Sequence, residues 1–188
     1  MALYDTIGFQ AQPQHLDNST LLANRPVQLT EANCVIISIC NIIEAKYWQQ
    51  TGIKIRYNYD DIYHQLVESN SGLQFDAIPS LLELLKNKPL NIRKTFSWSK
   101  QDTRTLDVFN MYLKASLHKY QFATIGCSAI KNVCLDNHAM TVCGYNRKSF
   151  KVQTTYANQK RFISIDNELL FRNFVKVQCC DINWNMSY

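Results

Sequence analysis

Three residues in this chain of 188 amino acids have types and positions suited to nucleophilic attack on a carbonyl group. Cys34 opens a long apolar run, His138 opens a strand-like run far along the chain, and Gln28 lies six residues before the cysteine. A cysteine thiolate is stabilised at a helix N-terminus by unpaired N–H groups and the helix dipole. A histidine acts as its base, and an amide donates to the developing oxyanion. The three residues predict thiol-based acyl chemistry.

The helix that would carry the cysteine is predicted from its apolar run and its ends. It extends from Cys34 to about Gln50, with Asn33 as the N-cap and Gly52 just past its C-terminus. Its apolar length indicates a helix that is buried on all sides. Helical spacing and first-turn residues predict three further helices, at 60–67, 77–86 and 105–119.

The second half of the chain has the composition of strands. Segments rich in Val, Ile, Phe and Thr predict strands at 121–127, 138–145, 150–155, 161–165 and 174–180. Helices therefore fill the first half and strands the second. This segregation indicates an α+β fold with two packed lobes, and a cleft between lobes is a natural place for a site.

The runs around Cys34 and His138 resemble two motifs of one known family. Residues 34–44, CVIISICNIIE, resemble the helix of papain-like cysteine peptidases that begins C-W-A-F-S-A and ends in Glu. Residues 137–145, NHAMTVCGY, resemble the family's N/D-H-A-x-x-x-x-G-Y motif, and Gln28 stands at the family's distance before the cysteine. The intervening segments TGIKIRYNYDDIYHQLV and GLQFDAIPSLLELLK are also similar to it. The resemblance covers roughly residues 26–157 in the family's order Gln, Cys, His.

The resemblance implies a cysteine peptidase that hydrolyses peptide or isopeptide bonds. In this family pattern Cys34 is the nucleophile, paired as a thiolate with the imidazolium of His138. Gln28 and the Cys34 N–H form the oxyanion hole. The expected fold is a two-lobed papain-like domain over residues 26–188, with a helical lobe at about 26–119 and a β lobe at about 120–188. Residues 1–25 are expected to be a leader segment, either loosely ordered or packed on the body.

Several positions depart from the family pattern. Thr154 stands sixteen residues after the histidine, where the family has the Asn that orients the imidazole, and we expect its hydroxyl to take that role. Tyr156 replaces a Trp, and we expect it and Asn137 to contact the substrate. Val35 replaces the Trp after the cysteine, and the family's cysteine-glycine substrate-pocket signature is missing around Gly72. The substrate specificity of the family therefore cannot be carried over to this chain.

Two other functions stay open at the sequence level. The departures at Thr154 and Val35 also fit a papain-fold protein that binds or scaffolds without cleaving. A thiol enzyme that performs deamidation or acyl transfer fits as well, because fold and triad do not fix the reaction. A zinc site at Cys127, Cys134, His138 and Cys143 is disfavoured, since only one gap matches the close spacing of structural zinc ligands. We expect no metal and no organic cofactor.

Composition narrows the class of partner and compartment. The net charge of +5 is mild and the basic residues are dispersed, which argues against nucleic acid as a partner. The family resemblance implies a protein or peptide substrate. No apolar run approaches the roughly 18 to 20 residues of a membrane span, and no secretory signal precedes the body. Seven cysteines, an odd number, argue against a disulfide framework and for a reducing, intracellular compartment.

Overall fold

The structure, a computed structural model, describes residues 12–23, 33–66, 77–85, 90–154 and 161–184. Within these ranges the chain forms five α-helices and one antiparallel sheet of seven strands, an α+β arrangement. None of the described helices has both the length and the apolar character needed to cross a membrane.

The α-helices follow the predicted pattern with one addition. Their bounds are Cys34–Thr51 (α1), Tyr59–Leu66 (α2), Ile78–Leu85 (α3), Leu106–Tyr120 (α4) and Asn167–Asn173 (α5). Asn33 occupies the N-cap position of α1, although its side chain makes no capping hydrogen bond. Gly52 ends the helix in the left-handed region with φ of 72°, as its position in the sequence predicts. The short α5 was not predicted. It begins where the Asp166 carboxylate accepts the N–H groups of Glu168 and Leu169.

All five predicted strands are present, and two more join them. Their bounds are Leu16–Asp17 (β1), Leu90–Ser99 (β2), Ala123–Cys127 (β3), His138–Tyr145 (β4), Ser149–Gln153 (β5), Phe162–Asp166 (β6) and Phe174–Trp184 (β7). The strands β1 and β2 were not predicted, and β2 falls in the part of the chain assigned to the helical lobe. It pairs with β7 along its whole length at the sheet edge.

The sheet places the strand that begins at His138 in its interior. The order is β2-β7-β3-β4-β5-β6, with β1 also pairing to β4. Cys127 of β3 lies opposite His138, and Gln153 of β5 lies opposite Thr141 of β4. Because ladder hydrogen bonds fix β4 on both sides, the backbone at His138 has a defined position relative to its neighbours.

Two hydrophobic clusters make up the core. One packs α4 and α5 against strands β3 to β7, and at its centre the rings of Phe109 and Phe174 lie 4.6 Å apart. The other packs α1, α2 and α3 against Phe122, Cys143 and Cys180. Helix α1 is buried from Val35 to Tyr47, which explains why its sequence is apolar with little amphipathic pattern.

A buried hydroxyl cluster joins α1 to the sheet. The Ser38 Oγ lies 2.9 Å from the Thr124 Oγ1 and 2.7 Å from the Thr141 Oγ1. All three side chains are fully buried. Since a buried hydroxyl without a partner is costly, these bonds favour one rotation and one height of α1 over β3 and β4.

Residues 12–23, the N-terminal strap, lie across β4. Strand β1 pairs with Gly144 and Tyr145, the Asn18 N–H donates to the Cys143 carbonyl at 2.8 Å, and the Tyr145 hydroxyl donates to the Pro13 carbonyl at 2.8 Å. A Cβ at Gly144 would lie 2.4 Å from the Leu16 carbonyl oxygen. The glycine of the Gly144-Tyr145 pair is therefore required by the close approach of the strap.

We predict that Gly144→Ala loosens the strap, because the added methyl group collides with its backbone. The free energy of unfolding should fall by about 1–3 kcal/mol in urea titrations. Amide exchange in residues 12–23 should become faster. Gly52→Ala is the matched control, since its φ is positive but its Cβ position has nothing within 4 Å. That variant should lose stability without altering strap exchange; unchanged exchange in Gly144→Ala would contradict the packing argument.

Candidate active site

The Cys34 thiol sits where α1 begins and meets β4. Cys34 is the first residue of the helix and is half-buried. The backbone N–H groups of Val35, in the first turn, and of Ala139, the second residue of β4, lie near enough to its sulfur to favour the thiolate. Helix α1 also packs more extensively against β4 than against other strands. The thiol therefore lies next to Ala139, the residue that directly follows His138.

Burial has a larger effect on the Cys34 thiol than the hydrogen bonds to it. Loss of solvation disfavours the thiolate, whereas the N–H groups of Ala139 and Val35 favour it. A further contribution against the thiolate comes from the nearby Cys134. The net result is a pKa for Cys34 above its ordinary value.

His138 is the first residue of β4, and only 4% of its surface is exposed. Burial disfavours the imidazolium and lowers the pKa of His138 to about 4. Both shifts favour a neutral thiol and a neutral imidazole in the resting protein. The thiolate–imidazolium pair predicted from the sequence is therefore disfavoured, because the surroundings of each group oppose its charge.

Thr154 lies on the same face of the sheet as His138. It directly follows β5, is fully buried, and its N–H donates to the Arg161 carbonyl at 2.9 Å. Thr141 of β4 pairs with Gln153 of β5, and the two strands are antiparallel. The residue after Gln153, Thr154, therefore lies opposite the residue before Thr141, Met140. Since side chains alternate along strands, Met140, His138 and Thr154 share one face and the last two are diagonal neighbours. This placement suits a residue that orients the imidazole.

The remaining predicted site residues divide into two groups. Asn137 is exposed in the bend that leads into β4, at the edge of the site. Gln28 and Tyr156 lie outside the described residues. The structure thus brings together Cys34 and the start of β4, with Thr154 on the neighbouring strand.

One neighbour of the site was misread from the sequence. Residues 128–137, the β3–β4 loop, carry Cys134, which lies close enough to Cys34 to influence its ionisation. Sequence spacing suggested Cys134 only as a zinc ligand. Its position four residues before His138 was the signal that it would lie near the nucleophile.

The alternative zinc set does not come together. Cys127 and Cys134 pack in the cluster with α4, whereas Cys143 packs in the cluster with α1, on the other side of the sheet. Among the described residues, no group of three or more His, Cys, Asp or Glu side chains is arranged to hold a metal ion. All seven cysteines are free thiols.

Solved structures share this architecture. No protein-family profile and no curated protein sequence matches the chain. The crystal structure of a protein assigned as a C39-like peptidase from Bacillus anthracis matches with a TM-score of 0.53 and 12% identity, over 89% of this chain and 98% of that one. C39-like peptidases are a papain-like cysteine peptidase family. The fold is papain-like. SERA5E from Plasmodium falciparum matches with a TM-score of 0.49 and 13% identity, over 92% of this chain and 95% of that one.

We predict that acid destabilises this papain-like fold through His138. Its pKa is about 4 when folded, against an ordinary value of about 6.5, so the unfolded chain binds more protons between these values. Stability should therefore decline as the pH falls from about 6.5 to 4, by up to about 3 kcal/mol from this residue. Urea titrations at several pH values measure the slope. His138→Gln should show a shallower slope, and equal slopes would contradict the assignment.

Proposed function

We propose that the protein is a cysteine-type hydrolase that cleaves peptide or isopeptide bonds, with Cys34 as nucleophile and His138 as base. The observation that carries the proposal is that the Cys34 sulfur lies near enough to the Ala139 N–H for that group to stabilise its thiolate. This places the thiol at the start of α1 beside the residue that follows the histidine. The papain-like fold, in which an α1-type helix packs on the sheet, supports the same assignment.

The proposed reaction starts from a neutral pair. His138 takes the thiol proton as the Cys34 sulfur bonds to the carbonyl carbon, so the thiolate exists only during attack. The oxyanion of the tetrahedral intermediate accepts hydrogen bonds from the Cys34 N–H and the Gln28 side-chain amide. Collapse of the intermediate breaks the C–N bond, and the leaving amine takes the proton from His138. Water, deprotonated by His138, then hydrolyses the thioester and restores the thiol.

Thr154 acts in this scheme as a positioning residue. Its hydroxyl accepts the imidazole N–H that faces away from the thiol, which holds the ring orientation needed for proton transfer. No metal or organic cofactor takes part in these steps. In this proposal Asn137 and Tyr156 contact the substrate.

Covalent labelling with a peptidyl epoxide tests the proposal. We expect labelling at Cys34 that disappears in Cys34→Ala and persists in Cys40→Ala. Cys40 is the matched control because it lies on the same helix and is fully buried. The rate should rise with pH above neutrality, since the Cys34 pKa is raised. A plateau between pH 5 and 7 would instead indicate a resting ion pair, and an unlabelled Cys34 in folded protein would refute the hydrolase.

A papain-fold binding protein without catalysis is the second candidate. The observation that favours it is the direction of two pKa shifts. The pKa of Cys34 is raised and that of His138 is lowered, and both shifts oppose a thiolate–imidazolium pair. It predicts a folded protein whose Cys34 fails to react with the epoxide. Deamidation or acyl transfer would retain Cys34 reactivity, and mass spectrometry of the products would show amide loss or transfer in place of chain cleavage.

We predict that Thr154→Val lowers turnover by about tenfold or more, because it removes the hydroxyl while keeping the shape of the side chain. Thr154→Ser is the matched control, since it keeps the hydroxyl and should retain most activity. Steady-state kinetics should show the loss in kcat with KM nearly unchanged. Equal loss in both variants would indicate that packing at this buried position, and not the hydroxyl, is what matters.

A further inference from the structure

A cavity of about 460 Å³, the strap cavity, lies between the N-terminal strap and the turn that joins β4 to β5. Gln14 and His15 line it from the strap, and residues 146–149 line it from the turn. Its volume falls in the range of about 300–1,000 Å³ that small-molecule sites occupy. The eight residues of β4, roughly 24 Å of strand, separate this turn from His138. The strap cavity is therefore distinct from the candidate active site.

The turn that lines the cavity is held in one conformation. The Asn146 side-chain oxygen accepts the Lys148 N–H at 2.8 Å and the Ser149 N–H at 2.9 Å. From outside the turn, the Asn167 N–H donates to the Lys148 carbonyl at 2.9 Å. The Asn167 side-chain amide donates to the Arg147 carbonyl at 3.4 Å. The side chains of Arg147 and Lys148 thus extend from a fixed backbone at the wall of the cavity.

The side-chain amide oxygens that line the cavity already accept hydrogen bonds. The Gln14 Oε1 accepts the Arg147 Nε–H at 3.0 Å, and the Asn146 Oδ1 accepts the two N–H groups of the turn. Asp17, the carboxylate of the strap, lines an adjoining cavity and is paired with the Lys151 Nζ at 2.8 Å. These oxygens are therefore engaged by the protein's own donors.

The basic side chains of the cavity keep donors to offer. Arg147 and Lys148 are exposed, and neither is paired with a carboxylate among the residues that the structure describes. Because Gln14 holds only the Nε of Arg147, both terminal amino groups of the guanidinium are left to donate. The ring of His15 adds a further N–H. A ligand suited to this lining accepts hydrogen bonds and carries negative charge.

We propose that the strap cavity binds a phosphate group, either as inorganic phosphate or as a phosphate monoester. A guanidinium donates two parallel N–H bonds to an oxyanion, and the terminal oxygens of a phosphate can accept from Arg147, Lys148 and His15 together. A carboxylate has only two oxygens to share among the three side chains. Because the bound group contacts both walls of the cavity, it also ties the strap to the turn. The site is independent of the proposed chemistry at Cys34.

Isothermal titration calorimetry of the full chain tests the proposal with two probes, sodium phosphate and O-phosphoserine. Serine is the blank, and sodium chloride keeps the ionic strength constant. Each probe is titrated into wild type, Arg147→Gln and Arg104→Gln. Arg104 is the matched control because it is also an exposed arginine, just before the start of α4. The contact of α4 with Tyr145 is made near its other end, by His118, so most of the roughly 22 Å of this helix separates Arg104 from the cavity.

We expect wild type to bind at least one probe, Arg147→Gln to bind it roughly tenfold or more weakly, and Arg104→Gln to match wild type. Tighter binding of O-phosphoserine would identify a monoester as the ligand, and tighter binding of phosphate would identify the free ion. Amide exchange in residues 12–23 should slow when the probe binds wild type, and it should not slow in Arg147→Gln.

Three results would overturn the phosphate site. Wild type may bind neither probe, or Arg147→Gln may bind as tightly as wild type. Equal loss of affinity in Arg104→Gln would show that the probes respond to overall charge and not to this cavity. Unfolding by urea checks that both variants remain folded, as expected for substitutions of exposed side chains.

Discussion

The hydroxyl cluster of Ser38, Thr124 and Thr141 is the contact on which the geometry of the site depends. Apolar packing attracts α1 to the sheet but does not by itself fix its height, because it has no direction. Hydrogen bonds between hydroxyl groups are directional and do fix the height of the helix. Moving α1 by one turn would leave three buried hydroxyl groups without partners, at a cost of about 1–3 kcal/mol each. Ser38 lies one helical turn after Cys34, and Thr141 lies three residues after His138. Fixing the cluster fixes the thiol against the start of β4.

The burial that fixes the site also opposes charge on its two titratable groups. Desolvation raises the pKa of Cys34 and lowers that of His138, so burial favours the neutral form of each group. Elsewhere in α1, buried polar groups are given partners. Glu44 accepts the Tyr57 N–H at 2.8 Å, and Lys46 donates to the Tyr120 carbonyl at 3.2 Å. The helix thus combines an apolar body with polar contacts that define its position.

The sequence predicts well those helices and strands whose signals lie within a short segment of the chain. The ends of α1 and the strand-forming composition of β4 are local signals, so the elements that begin at Cys34 and His138 could be predicted before the fold was known. Strand β2 was missed because its partner, β7, lies far along the chain and its own sequence mixes charged and aromatic residues. The pKa shifts of Cys34 and His138 could not be predicted from the sequence, since they depend on burial by several elements at once. The predicted role of Thr154 came from counting residues in the family pattern, and its face of the sheet followed only from register.

The strap pairs two segments that lie far apart in the sequence. The Tyr145 hydroxyl and the Pro13 carbonyl that it contacts are 132 positions apart, and the edge strand β2 must wait for β7. Such long-range pairing makes folding slow and leaves unpaired strand edges on partly made chains. During translation, Cys34 is therefore made long before the strand that begins at His138. Cys34 and the start of β4 can therefore come together only after β4 has left the ribosome.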